Sequence, residues 1–315
     1  MIKIGAINID VSHPLAFSAV LHDSERARYT AVFNDGFREF DEVEGFAKKE
    51  NLQICSTLDE LADMVDVGFV HSCDWDKHID YAMPFIKRNK PVFIDKPIVG
   101  NMKDLERFLD LCEKGAKIIG TSALRYCQEV EDACKKLEEL EAVPLHTVVT
   151  SGTDEFNYAI HAVEEICGIN SAEPVSCRYV SGSSAGSVSC ENYFIEFDNG
   201  TTAQYISAKG KFMKFNTIVT LSSPKPVTDL CFVVDNSKFY GAMLDRVCDY
   251  MEGDTTKLAS PQQMASAIKI MLAGKASKLN GGITVPLDSP LLYEVSFDGH
   301  KFAEEYGSRQ GKIYI

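Results

Sequence analysis

The sequence predicts a two-domain α/β protein: an N-terminal doubly wound parallel sheet, then an α+β domain with an open, mostly antiparallel sheet. Up to about residue 121, short apolar runs alternate with segments of helical periodicity, a pattern typical of right-handed βαβ units. Beyond that point, strand-like runs mostly follow one another directly. A length of 315 residues also favours two domains, which we place at 1–121 and 122–315.

The N-terminal elements are predicted in regular order. Strand-like runs rich in Val, Ile and Phe are each followed by a segment with apolar residues at helical spacing. The strands are expected at 2–7, 29–33, around 54, 67–70, 92–94 and 118–119, with helices at 14–21, 43–50, 58–64, 79–86 and 105–112.

The second domain begins with a charged helix at 129–141 and continues with strands. The turn Asp198-Asn199-Gly200 separates two alternating runs and predicts a hairpin, because Asn and Gly tolerate positive φ. A late helix is expected to begin at Ser260-Pro261, with serine as N-cap and proline at the first helical position. The strands are predicted at 145–150, 175–180, 187–197, 201–208, 216–222 and 228–234.

Composition limits the possible partners and compartment. A net charge of −14 disfavours nucleic acid and anionic membranes. No apolar run reaches the length of a bilayer span, and the N-terminus shows no signal-peptide pattern. The ten cysteines include no Cys-x-x-Cys pair, which favours reduced thiols in a cytoplasm over disulfides or a zinc site. No metal site is predicted.

The segment Val92 to Pro97 is the most informative local feature. An apolar strand ends there on Asp95-Lys96-Pro97, and ligands of open parallel sheets bind at the carboxyl ends of strands. A lysine in that position can direct its charge at a substrate oxygen. A surface ion pair ahead of a loop proline is the alternative interpretation.

The residues before this strand extend the motif. The apolar run 67–70 is followed by a loop from His71 to His78 that contains Cys73 and Trp75, then by an amphipathic helix. This order, ending in Asp95-Lys96-Pro97, resembles the Gfo/Idh/MocA family of NAD(P)-dependent oxidoreductases, whose common final motif is Glu-Lys-Pro. The resemblance implies a Rossmann-like N-terminal domain and an enzyme that transfers a hydride between nicotinamide and a sugar, polyol or related hydroxy/keto compound.

The turn after the first strand departs from the expected dinucleotide fingerprint. A G-x-G-x-x-G turn lets the backbone approach the pyrophosphate closely. Counted from Gly5, the only glycine present, Ile7 and Asp10 occupy the other two positions. An isoleucine blocks close approach, and a carboxylate repels the anion. The candidate cofactor ligands in and beside this turn are Gly5, Ile7, Asn8, Ser12 and His13.

Other cofactor contacts are expected at the ends of later strands. Asn34 and Asp35 follow the second strand and could accept ribose hydroxyls, which slightly favours NAD over NADP. In the family that the chain resembles, the loop after the fourth strand lies along the cofactor. The resemblance therefore implies that Cys73, Asp95 and Lys96 contact the cofactor. Trp75 is expected either to contact substrate or nicotinamide, or simply to cover the loop.

The second domain carries a further motif that resembles the family. Asn157 and His161 are four residues apart, a spacing that places two side chains on one helical face. Asn157 replaces an acid of the family's Asp-x-x-x-His-x-x-Asp helix and cannot act as a base. His161 is therefore the expected acid/base, with Asn157, Tyr158 and Arg125 as substrate ligands. A half-buried packing histidine is the alternative.

Two further interpretations stay open at the level of sequence. In the first, the chain keeps the fold but serves as a cofactor-free ligand-binding or regulatory protein. In the second, it is an enzyme with an unusual cofactor pose, in which Asp10 contacts substrate or is neutralised by His13. A homodimer or homotetramer is expected through the open sheet of the second domain, with the runs 187–197 and 201–208 as candidate interface.

Overall fold

A computed structural model describes residues 1–225 and 228–314. Internal contacts divide the chain into two compact units, with the first boundary between Thr121 and Ser122. The first unit also contains Leu244–Gln262 and the chain from Asp298 onward, whereas the second consists of Ser122–Met243 and Gln263–Phe297. Two late segments that lie within the predicted 122–315 thus group with the first unit.

The first unit is built on a six-stranded parallel sheet of order β3-β2-β1-β4-β5-β6, as predicted. Its strands are β1 (Ile2–Ile7), β2 (Ala27–Phe33), β3 (Gln53–Ile54), β4 (Val67–Val70), β5 (Val92–Ile94) and β6 (Ile118–Gly120), and the helices between them are α1 (His13–His22), α2 (Phe40–Glu50), α3 (Leu58–Met64), α4 (His78–Lys87) and α5 (Met102–Glu113).

Burial and capping explain these elements. The three residues of β5 and the four of β4 are all buried, as expected for strands covered on both faces. Thr57 caps α3 by accepting a hydrogen bond from the Glu60 N–H at 3.1 Å, and Asn101 caps α5 in the same way. The strand order reverses between β1 and β4, so the turns after β1, β4 and β5 meet at the switch point where ligands of such sheets bind.

The second unit contains a seven-stranded mixed sheet of order β12-β11-β7-β10-β9-β8-β13, in which only the β10–β7 pair is parallel. The prediction of a mostly antiparallel sheet is confirmed. Its strands are β7 (Val143–Thr153), β8 (Pro174–Ala185), β9 (Val188–Phe197), β10 (Thr202–Lys209), β11 (Asn216–Ser222), β12 (Leu230–Val233) and β13 (Val285–Pro286).

The predicted hairpin joins β9 and β10. Gly200 adopts φ 82°, and its N–H donates to the Phe197 carbonyl at 3.0 Å. The helices after β6 are α6 (Gln128–Glu139), α7 (Ala159–Ile169), α8 (Phe239–Met251), α9 (Pro261–Leu279) and α10 (Gly299–Gly307). Among the helices of the described residues, none has the length and apolarity needed to cross a membrane.

Candidate active site

The turn after β1 begins at Asn8. This start is three residues after Gly5, from which the glycine motif was counted in the sequence. Gly5 lies inside β1, where an added Cβ would come within 3.0 Å of the Leu61 side chain, and Ile7 is fully buried. Both predictions of a cofactor contact in the turn therefore need correction: the strand runs on to Ile7, so these residues serve the sheet. When the motif is counted from the first residue of the turn, its three glycine positions correspond to Asn8, Asp10 and His13.

Asparagines connect this turn to the loop after β2. Asn8 has φ 61°, a conformation that asparagine tolerates better than most residues. Its Oδ1 accepts the Asp35 N–H at 2.9 Å, and Asn34 Oδ1 accepts the Ile9 N–H at 3.2 Å. The exposed Asp35 carboxylate accepts a 2.6 Å hydrogen bond from Tyr81. Asn34 thus supports the turn, while Asp35 faces solvent at the strand end.

Asp10 lies at the switch point itself. Its Oδ2 accepts hydrogen bonds from Ser72 Oγ at 3.2 Å and from the Cys73 N–H at 3.1 Å, which links the turn after β1 to the loop after β4. Within the described residues its Oδ1 has no hydrogen-bond partner, and it lies so close to Gly36 that any Cβ there would clash. Burial raises the pKa of Asp10, although these hydrogen bonds oppose the change.

Arg38 and the end of the chain fix the same turn from the other side. The buried guanidinium donates to the Asp10 carbonyl at 3.0 and 3.2 Å, to Glu42 at 3.1 Å and to the Gly311 carbonyl at 2.8 Å. Tyr314, 4% exposed, donates a short hydrogen bond from its hydroxyl to the Val11 carbonyl. The Arg38 guanidinium therefore makes its hydrogen bonds and its ion pair inside the protein.

Asp95 is held by two histidines. Its Oδ2 pairs with Nδ1 of His13 at the start of α1 and lies 3.4 Å from Nδ1 of His71 after β4. Tyr29 extends the chain of contacts, since its hydroxyl lies 2.8 Å from His71 Nε2. Burial alone would raise the pKa of Asp95, but the charge and hydrogen bond of His13 and the contact with His71 lower it well below its ordinary value.

Lys96 follows immediately at the carboxyl end of β5. Its backbone N–H donates to Asp95 Oδ1 at 2.8 Å, and its side chain is half-buried. The anchored carboxylate thus fixes the backbone from which Lys96 projects. Asp95 is buried and its oxygens contact His13, His71 and the Lys96 N–H, so it holds its neighbours in place. Its contact with the cofactor stays a prediction.

The loop after β4 is packed more deeply than predicted. Trp75 is 2% exposed, and its ring lies 4.8 Å from that of Phe302 in α10 of the same unit. This packing agrees with the predicted alternative in which Trp75 covers the loop, and its contact with substrate stays a prediction. The Cys73 thiol is also buried, and its N–H is used by Asp10. His78 contacts the Ser72 and Ile98 carbonyls and ties two loops together.

His161 lies in the second unit, on the first turn of α7. Its Nδ1 is 2.6 Å from Ser122 Oγ, which also accepts the Leu124 N–H at 3.1 Å. The imidazole packs edge-on against Tyr158 and Phe215, with ring centroids 5.8 and 5.5 Å away. Ser122 fixes the orientation of the ring, a role that its sequence position before a short 3₁₀ helix does not reveal.

The helix that carries His161 begins later than the motif suggested. It starts at Ala159, so Asn157 lies in the preceding turn and does not share a helical face with His161 in the predicted way. The physical cause is Asp154, whose carboxylate accepts the N–H groups of Phe156 and Tyr158 at 3.0 and 2.9 Å and stabilises a separate turn.

Arg125 forms a buried ion pair. Its Nε donates to Glu164 Oε2 at 2.6 Å and its Nη1 to the Cys167 carbonyl at 3.3 Å, and the side chain is 6% exposed. Gly168 permits this close approach, because a Cβ there would lie 2.9 Å from the Arg125 carbonyl. The predicted substrate contact of Arg125 is corrected: the guanidinium joins the 3₁₀ helix Ala123–Tyr126 to α7.

Glu165 is a buried acid that the sequence did not single out. It is fully buried on α7, and one oxygen accepts a short hydrogen bond from Thr217 Oγ1 of β11. Its other oxygen has no hydrogen-bond partner in the part of the chain described. Burial raises the pKa of Glu165 to about 8. In the sequence, the apolar spacing of α7 is the one signal that Glu165 is buried. This signal is weak, because a glutamate among apolar residues usually indicates a solvent-facing position.

The first unit fits a dinucleotide. The Ser12 side chain forms no capping hydrogen bond, so within the described residues it does not occupy the amides of the first turn of α1, where an anion would bind. The exposed Asp35 carboxylate stands where a ribose hydroxyl would bind. Asp10 is directed into the loops, where its Oδ2 accepts hydrogen bonds from Ser72 and the Cys73 N–H. No cluster of His, Cys, Asp or Glu that could hold a metal is found among the described residues.

Sequence comparison agrees with this geometry. Residues 4–122 match the model of the Gfo/Idh/MocA family, described as an oxidoreductase family with an NAD-binding Rossmann fold. The predicted family resemblance is confirmed. The match covers the N-terminal domain, with its strands β1 to β6. Among curated proteins, none matches the chain.

Solved structures share the fold over nearly the whole chain. The myo-inositol dehydrogenase from Lactobacillus casei, in complex with NAD(H) and myo-inositol, has a TM-score of 0.73 at 14% identity and covers 93% of this chain and 99% of its own. The aldose-aldose oxidoreductase from Caulobacter crescentus, complexed with glycerol, has a TM-score of 0.72 at 15% identity, with 90% and 99% covered. At these identities the similarity establishes the fold.

Proposed function

We propose that the protein is a nicotinamide-dependent oxidoreductase that acts on a CH–OH group of a sugar, polyol or related compound. The observation that carries this proposal is Lys96 at the carboxyl end of β5, beside an Asp95 fixed by His13 and His71, in a domain that matches an NAD-binding family. The inositol dehydrogenase and aldose oxidoreductase that share the fold support the substrate class.

Each proposed role follows from the chemistry of the side chain. Lys96 binds the reacting oxygen and stabilises its negative charge as the proton leaves. His161, held at Nδ1 by Ser122, is the proposed general acid/base and would act through its Nε2. Asn157 and Tyr158, beside the start of α7, orient neighbouring hydroxyls. The bound nicotinamide supplies the hydride acceptor or donor.

The direct test of this activity is a substrate screen. We expect slow NAD⁺ reduction, followed at the nicotinamide absorbance, with at least one member of a panel of inositols, hexoses, hexonates and hexitols. A His161→Ala variant provides the control, since contaminating dehydrogenase activity would survive it. Absence of turnover with the whole panel in both directions would contradict the proposed substrate class.

We further propose NAD as the cofactor in preference to NADP. Asp35 supplies an acceptor for ribose hydroxyls and would repel a 2′-phosphate. Arg38, the basic residue of the same loop, already donates to Asp10, Glu42 and Gly311 and is buried.

The free thiols support a reducing compartment, the cytoplasm.

Asp10 should make cofactor binding depend on pH. As pH rises, its carboxyl ionises and repels the pyrophosphate, so the affinity of the wild-type protein for NADH should fall. Asp10→Asn should bind NADH about tenfold more tightly at pH values above the pKa of Asp10 and show little pH dependence, since a tenfold change corresponds to about 1.4 kcal/mol. Calorimetric titrations at several pH values measure both effects.

The matched control is Asp66→Asn, which removes an exposed carboxylate at the amino end of β4. This variant should bind like the wild-type protein. An Asp10→Asn variant with the same affinity and the same pH slope as the wild type would show that Asp10 does not face the phosphate.

The same carboxylate favours one alternative function. If Asp10 excludes the pyrophosphate altogether, the chain is a ligand-binding or regulatory protein on an oxidoreductase fold. The two functions differ in one observable, saturable binding of the dinucleotide.

We also propose a homodimer or homotetramer through the open face of the second unit's sheet. Ile218, Val148, Gln204, Phe194 and Arg178 are aligned across five adjacent strands on this face. Ile218 is 48% exposed, and Val143, Leu145, Val180 and Val233 are exposed to a similar degree. Extended apolar exposure of this kind marks an association surface.

Ile218→Asp should dissociate the assembly, because it places a charge on this face at a position that is apolar in the wild type. Light scattering after size exclusion should show an oligomer for the wild type and monomers for the variant. Leu279→Asp, at an exposed position on α9, is the control and should remain assembled. A monomeric wild-type protein would contradict the proposal.

A further inference from the structure

The second unit contains a cavity of about 220 Å³, lined by both apolar and charged side chains, that no part of the proposed mechanism uses. It is smaller than the pockets that take drug-sized ligands, which begin at about 300 Å³. Its size suits a monosaccharide. It is lined chiefly by Glu155, Tyr193, Tyr205, Lys275, Lys278 and Phe297.

Aromatic rings form its rigid part. Tyr193 and Tyr205 stack with ring centroids 4.6 Å apart and an angle of 5°, and Phe297 stacks on Phe156 at 3.9 Å. Gly274 of α9 leaves room for this arrangement, because a Cβ there would lie 2.8 Å from the Tyr205 hydroxyl. Rings fixed in this way offer flat apolar surface for the C–H faces of a sugar.

A charged network surrounds the rings. Lys278 donates to Glu191 at 2.6 Å, Tyr193 donates to the same carboxylate at 2.6 Å, and Lys209 lies between Glu191 and Glu155. Lys275 lies 4.3 Å above the Phe297 ring. Three lysines and two glutamates leave a local charge of +1 in a chain whose net charge is −14, which favours an anionic ligand at this place.

The phenol of Tyr205 supplies a polar group to the cavity wall. Tyr205 is 1% exposed and lines the cavity. A phenol hydroxyl can both donate and accept a hydrogen bond. A ligand hydroxyl in the cavity would meet this group.

We propose that this cavity binds a small sugar acid, a monosaccharide with a carboxylate. The carboxylate would lie at Lys275 and Lys278, a ring hydroxyl would accept from Tyr205, and the C–H face would contact the aromatic rings. Asn157 and His161 do not line this cavity. The inference therefore stands apart from the proposed function, and binding can be measured without cofactor or turnover.

Titration of the full-length protein with D-glucuronate and D-glucose, by calorimetry or saturation-transfer NMR, tests this site. We expect saturable binding of glucuronate, about tenfold tighter than that of glucose. Tyr205→Phe removes one hydroxyl and should weaken binding about fivefold to tenfold, the effect of one hydrogen bond. Tyr293→Phe makes the same change on an exposed ring of this unit and should have no effect.

Gly274→Ala is a second variant, which should abolish binding by occupying the space at Tyr205 and Tyr193; circular dichroism establishes that each variant folds. Equal affinity for glucose and glucuronate would overturn the anionic class. Failure of glucuronate to bind at about 10 mM, or full binding by a folded Tyr205→Phe, would overturn the site. Loss of turnover in Lys96→Ala would leave this result unaffected, so the two proposals fail separately.

Discussion

Replacing Lys96 by alanine is expected to lower kcat/KM by about a thousandfold, within the range for loss of a group that handles charge and proton transfer. The loss should appear in kcat with cofactor affinity nearly unchanged, because the ammonium acts on the substrate oxygen. Steady-state kinetics with the substrate found by the screen, together with an NADH titration, separates these two effects.

The matched control is Lys103→Ala, which removes an exposed lysine near the start of α5. It should retain wild-type kinetics. If Lys96→Ala kept more than a third of the wild-type kcat/KM, the assignment of Lys96 as the substrate-binding cation would be wrong.

Glu165→Gln should make the protein more stable at neutral and alkaline pH. With a pKa near 8 in the folded protein and 4.5 as the reference value, Glu165 stays protonated when folded while the unfolded chain loses its proton. The free energy of unfolding should therefore fall by about 1.4 kcal/mol per pH unit between these values and level off above pH 8. The amide carries no charge, keeps a bond to Thr217 and removes this decline.

Urea unfolding at about pH 5 and pH 8.5 measures the effect, which should be a few kcal/mol at the higher pH and small at the lower. Glu164→Gln is the informative comparison, since it breaks the buried pair with Arg125 and should destabilise the protein at both pH values. An unchanged pH dependence in Glu165→Gln would show that Glu165 titrates normally.

The fold could be predicted from sequence because its signals are local. Alternating strands and helices, buried β4 and β5, and the hairpin at Gly200 all depend on residues close together in the chain. The switch point then follows from topology alone, which is why Asp95 and Lys96 could be placed at the carboxyl edge.

The site details depend on contacts distant in sequence. Nothing near Arg38 shows that Gly311 and Asp10 use its charge, and nothing near Trp75 shows that Phe302 covers it. Gly5 predicts the wrong register for the turn after β1, because the strand continues to Ile7. The strand end, with Asn8 in a left-handed conformation, was the better signal.

The start of α7 shows a different limit. A four-residue spacing predicts a shared helical face only if both residues lie inside the helix. Asn157 lies outside the helix, because Asp154 stabilises a turn before it. Asx turns of this kind can be recognised from sequence.

Calorimetric titration of the purified 315-residue chain with NADH and NADPH tests whether this fold binds a nicotinamide cofactor. We expect one saturable site per chain for NADH with a dissociation constant in the micromolar range, about −8 kcal/mol, and weaker binding of NADPH. No binding of either dinucleotide at about 1 mM to a folded protein would contradict it and favour the cofactor-free alternative.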